Sequence, residues 1–122
     1  MPLDPFKTLD QQRAKAAWAA TEGATSEFTK LAEGAAATIM ASGLLQALAF
    51  YLAKGGKHAD LAAVLADWAL RAAPPTGPAA ARATALMTDL LNRDSTHLRR
   101  QTAETLAYLT WVKRFAKART GA

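Results

Sequence analysis

Cysteine is missing from this chain of 122 residues, and its two histidines, His58 and His97, stand far apart in the sequence. Disulfides and thiolate metal sites are therefore excluded, and two histidines alone make a poor zinc set. Valine and isoleucine together number three (Ile39, Val64, Val112), whereas alanine numbers 31. Strands draw on β-branched residues, so their scarcity argues against a sheet and for an all-α protein. The start, MPLDPFKTLD, has none of the basic, apolar and small-residue regions of a secretory signal. A cytoplasmic location is the expectation. No cofactor motif is present either: there is no phosphate-binding glycine loop, no metal-ligand cluster and no nucleophile elbow. His58 and His97 each lie beside a predicted helix end, where surface histidines are common. The chain is expected not to be an enzyme and to need no cofactor or metal.

What is present is helical punctuation. The length suits a single domain over residues 1–122, long enough to bury one core. Asp4 followed by Pro5 reads as an N-cap with proline at the first helical position, and Gly23 would end that helix. Thr25 or Ser26 can cap a second. Gly55-Gly56 closes a long uncharged stretch, Asp60 opens another helix, and Pro74-Pro75 stops it near Ala73. Pro78 can begin the next. A polar break at 92–96 precedes a last helix running from about Ser95 or Thr96 to about Ala118. The expected architecture is a compact bundle of five or six helices.

Residues 34–53, GAAATIMASGLLQALAFYLA, contain no Asp, Glu, Lys, Arg or His. Taken as one helix at about 100° per residue, they place Met40, Leu44, Leu45, Leu48, Tyr51 and Leu52 in one arc. Ser42, Gly43, Gln46, Ala49 and Ala53 fall opposite, with Ile39 and Phe50. Small and polar residues contribute little to membrane insertion, so this stretch is not expected to cross a membrane. The bulky face belongs to the core. The other is either core as well or a surface open to close approach by a partner, for which Ser42, Gly43, Gln46 and Phe50 are the candidates.

Charge is distributed unevenly. The formal net charge is +5 and the sequence pI about 9.9; residues 1–93 carry a net +1 and residues 94–122 a net +4. Arg13 lies in the apolar stripe of the first helix (Phe6, Leu9, Ala17, Ala20). It either pairs with a carboxylate of another helix or offers its fork of donors to phosphate. Trp18 falls on the side of Lys7, Gln11 and Lys15, where it can stack a base, though packing under an adjoining helix is the commoner fate of such a ring. On the last helix Leu98, Tyr108, Leu109, Val112, Phe115 and Ala116 share one side. Arg99, Arg100, Lys113, Arg114 and Lys117 occupy an arc of about 140° on the other. The helix dipole accounts for cations near the C-terminus only. Arg99 and Arg100 stand near the N-terminal end, so the row reads either as a solvated face or as a track for a phosphate backbone.

Three segments, DQQRAKAAW, SGLLQALAFYLAK and LTWVKRFAKA, together with LADWAL between the second and third, make the chain resemble the small subunit of the Cmr-type (type III-B) CRISPR ribonucleoprotein effector. The resemblance covers most of the chain and is weakest over residues 74–93. It implies a compact all-α, non-nuclease subunit that stacks in several copies beside the backbone and large subunits and lines the groove holding crRNA and target single-stranded RNA. On that mapping Arg13 belongs to the first segment, Gln46 and Lys54 to the second, and Lys113 and Arg114 to the third. The related Csm-type small subunit and a helix-turn-helix DNA binder are the rival readings. The candidate RNA-binding residues are thus Arg13, Lys54, Arg99, Arg100, Lys113, Arg114 and Lys117.

Overall fold

The computed structural model describes residues 6–121. Its six helices are α1 (Leu9–Ala20), α2 (Ser26–Ser42), α3 (Leu44–Lys54), α4 (Gly56–Ala69), α5 (Ala79–Asn92) and α6 (Ser95–Thr120). Among the described residues there is no strand.

The expected start at Asp4-Pro5 lies outside the described residues. Helix α1 begins at Leu9, behind a capping box: Thr8 Oγ1 accepts from the Gln11 N–H at 3.0 Å, and the Gln11 side chain accepts from the Thr8 N–H at 2.8 Å. The reciprocal bonds satisfy two otherwise orphaned donors. Phe6 therefore precedes the helix and is 95% exposed, and Leu9 is exposed too. Of the expected stripe, Ala17 alone is fully buried.

The uncharged stretch is not one helix. Gly43 ends α2 and begins α3 at φ 85°, ψ 158°, a conformation essentially restricted to glycine. A Cβ built there would meet nothing within 4 Å, so backbone conformation, not close packing, requires the glycine. The break also resets the faces. Leu44, Leu48 and Tyr51 are buried as the angular pattern predicts, but Ile39, assigned to the small face, is buried, and Met40, assigned to the core, is 75% exposed. A second such glycine, Gly55 (φ 67°, ψ −162°), joins α3 to α4 directly, so α4 opens four residues before Asp60.

Helix α4 is the centre of the bundle, touching α2, α3, α5 and α6. Leu61, Leu65 and Trp68 are buried along it together with Ala59, Ala62, Ala63 and Ala66. Small alanine knobs let neighbouring helices approach on several sides at once, since interaxial distance follows side-chain size. Helix α6, capped by Asp94, whose carboxylate accepts from the His97 N–H at 2.9 Å, lies along α1 and α2 and also meets α4. It buries Thr105, Tyr108, Leu109, Val112 and Ala116. Its opposite side remains in solvent.

Candidate nucleic-acid interface

Burial of one side of α6 determines what the other can present. With Tyr108, Leu109, Val112 and Ala116 turned inward, the 3.6-residue period turns Arg99, Arg100, Arg114 and Lys117 outward, and all four are exposed. Lys113 sits at the margin toward α2 and is half-buried. From Arg99 to Lys117 the row covers about 27 Å of helix. Among the described residues none of these five cations forms an ion pair; Arg99 makes only a long contact to Thr96 Oγ1, 3.4 Å. Lys113, Arg114 and Lys117 line one open hollow with Glu33 of α2. Glu33 escapes sequence reasoning because nothing in its spacing ties it to α6.

Near the other end of α6, Arg99 borders a wider groove of about 680 Å³. One wall is the α2–α3 junction, with Ser42, Gly43, Leu45 and Gln46. The other is the first turns of α6, with Leu98, Thr102, Ala103 and Leu106. Three of the four residues expected at a partner face therefore meet one of the expected RNA-binding residues. Phe50 lies one turn further along α3, half exposed, packed against Tyr51 and His58 with ring centroids at 5.7 and 5.8 Å. Lys54 is exposed at the end of α3, its Nζ 5.6 Å from the Phe50 ring centroid. These two stand apart from both the groove and the α6 row.

Arg13 belongs to neither. Its Nε and Nη2 donate to the two oxygens of Glu104 at 2.6 and 2.8 Å, and Nη1 donates to Asp10 at 3.3 Å. The same Glu104 accepts from Trp68 Nε1 at 2.9 Å, while the Trp68 ring stacks on Tyr108 at 5.1 Å. Burial alone would push the Glu104 carboxyl up. The hydrogen bonds from Arg13 and Trp68 and the charges of Arg13 and Arg71 outweigh it and hold the carboxyl below its usual range. The bond to Glu104 raises the Arg13 guanidinium in turn. Of the two readings of Arg13, the geometry is that of the interhelical carboxylate pair, which occupies its bidentate edge.

At the far end of α1, Trp18 packs against α6 yet remains 49% exposed. Among the described residues no His, Cys, Asp or Glu cluster could hold a metal ion, and no helix is long and apolar enough to cross a membrane. Chemically the surface offers point cations, an apolar groove and one exposed indole.

Compared with known protein families, residues 9–119 match the family model described as CRISPR-associated protein (Cas_Cmr5). No curated protein matches the chain.

Proposed function

The chain belongs to the Cas_Cmr5 family, the small subunit of Cmr-type CRISPR systems, and from that premise we propose that it is a non-catalytic, RNA-binding subunit of a type III-B effector. Several copies stack beside the backbone and large subunits, and the outer face of α6 follows the phosphates of the crRNA or its target strand. One observation carries the reading: five cations share one face of a single helix without a carboxylate partner. Unpaired lysines and arginines in a line suit a polyanion, because phosphates need charge at intervals and no base-reading groups. Lys113, Arg114 and Lys117 form its denser end. The groove at Ser42, Gly43 and Gln46 is the reading's contact with a neighbouring subunit, since apolar concavities with few polar groups suit protein as well as small ligands.

The test is Lys113→Ala with Arg114→Ala in the assembled complex. Target RNA should bind more weakly regardless of sequence, and the salt slope should flatten by about 1.4, since each contact to a single strand contributes ~0.7. A folded double variant whose complex keeps its affinity and its slope removes these residues from the RNA path.

A further inference from the structure

Trp18 is the one tryptophan with about half its surface open: Trp68 is buried and Trp111 half-buried. The exposed indole is held in place. The Arg119 guanidinium lies 3.4 Å from its ring centroid and is fixed there, Nη2 donating to the Trp18 carbonyl at 2.8 Å and Nε to Thr21 Oγ1 at 3.2 Å. Phe115 meets the indole edge to face, centroids 5.1 Å apart, and itself packs on Trp111 at 5.4 Å. Trp111 is tied back to Asp10, its Nε1 donating at 2.9 Å. Two residues of α6, Arg119 and Phe115, thus hold the indole while about half of its surface stays open to solvent.

We infer that Trp18, backed by Arg119, is a stacking platform for one base of the single-stranded RNA whose phosphates follow Arg114 and Lys117. The inference rests on the function proposed above. Helical geometry supplies the spacing: Trp111 and Phe115 lie about 60° and 100° round α6 from Arg114, an arc of about 6 to 10 Å at side-chain radius. That is the reach of one nucleotide from phosphate to base. A ring already immobilised by Arg119 and Phe115 loses little freedom when a base stacks on it, and stacking tolerates any base because every base has a π-face. The surroundings favour nucleic acid over a protein partner. Lys15 is exposed one turn before Trp18 on α1, whereas lysine is depleted from protein interfaces.

Trp18→Leu keeps apolar volume and removes the π-face; Trp18→Phe keeps a ring. In assembled complexes of each, Trp18→Leu should weaken target-RNA binding by about 5- to 150-fold, the range for one base on one aromatic, with the salt slope unchanged, and Trp18→Phe should recover most of the loss. Independently, single-stranded RNA carrying 5-iodouridine should photo-crosslink to the peptide containing Trp18 in the wild-type complex. Wild-type affinity for Trp18→Leu together with no crosslink at Trp18 overturns the platform. So does a Trp18→Leu subunit that fails to enter the complex while Trp18-containing peptides never crosslink, which makes the indole a protein contact. A flattened slope for the Lys113→Ala, Arg114→Ala variant with no effect at Trp18 rejects the platform alone. An unaltered slope with a Trp18 crosslink rejects the phosphate track and leaves the platform standing.

Discussion

Two neighbouring strips of helix α6 treat charge in opposite ways. On its flank toward α1, Glu104 is held by Arg13 from α1 and Trp68 from α4, so one carboxylate joins three helices. Four residues before it and ten after it, Arg100 and Arg114 point into solvent with no acidic partner among the described residues. A charge removed from water must be matched by geometry, since an unmatched one costs several kcal/mol. An exposed one need not be matched at all. The contrast separates the charges that hold the bundle together from those available to a ligand, which composition alone cannot do: Arg13 and Arg114 count equally toward the net +5.

The strongest way to break that contrast is to remove its inner member. Glu104→Ala leaves the Arg13 guanidinium, whose side chain is 18% exposed, without its bidentate partner and the Trp68 indole N–H without an acceptor. A loss of about 1 to 3 kcal/mol in unfolding free energy is expected, the range for leaving a donor without its partner, since the pair is part-buried and Arg13 keeps its contact with Asp10. Denaturant unfolding of the isolated subunit measures it. A loss below about 1 kcal/mol makes the network incidental to the fold and dissolves the distinction between the two sides.

Little of that inner network is legible in the sequence, whereas much of the outer face is. The period of α6 shows directly which residues turn inward, because the helix is long and its apolar positions are evenly spaced. The Arg13–Glu104 pair joins residues 91 positions apart, and only the fold could select Glu104 over the other carboxylates. The break at Gly43 is missed for a different reason: a glycine between apolar residues fits a helix interior as well as a junction, and its positive φ leaves no trace in composition. Trp18 illustrates a third limit. Its helical angle places it beside Lys15 but does not reveal that Arg119 would approach from α6 and hold the ring half open. The Thr8–Gln11 capping box, in contrast, is a local four-residue pattern that a reader who passes over Asp4-Pro5 can find unaided.

Acid sharpens the comparison through the carboxylates of the inner side, Glu104 and Asp10. Glu104 lies below its usual carboxyl range for the reasons given above, and Asp10 is lowered by the hydrogen bond from Trp111, with smaller contributions from Arg13. A carboxyl whose folded pKa is depressed stabilises the fold above its unfolded pKa, about 4, and that contribution disappears as pH falls through the folded value. Wild type should therefore lose thermal stability steeply below about pH 4. Glu104→Gln should start lower at pH 7 and fall less, so that the two melting curves converge in acid. Curves that stay parallel from pH 7 to pH 3 show that Glu104 gains nothing from its partners.

The smallest expected effects are on the outer side, and their sign is informative. Lys117 stands in the last turn of α6, where a cation interacts favourably with the helix dipole, so Lys117→Ala should cost about 0.3 to 1 kcal/mol at low salt. Arg99 and Arg100 sit in the second turn, where the dipole is unfavourable to cations and already fading. Replacing either with alanine, the best helix former, should change stability by no more than about 0.5 kcal/mol and in the stabilising direction. Raising the salt should shrink the Lys117 cost, because exposed charge is screened within about 10 Å at 0.1 M. Chemical denaturation of the single variants at two salt concentrations resolves these differences. If Arg99→Ala destabilises the isolated subunit by more than about 1 kcal/mol, Arg99 serves the fold through the groove it borders with Ser42, Gly43 and Gln46, and the unpaired face of α6 keeps four cations, Arg100, Lys113, Arg114 and Lys117.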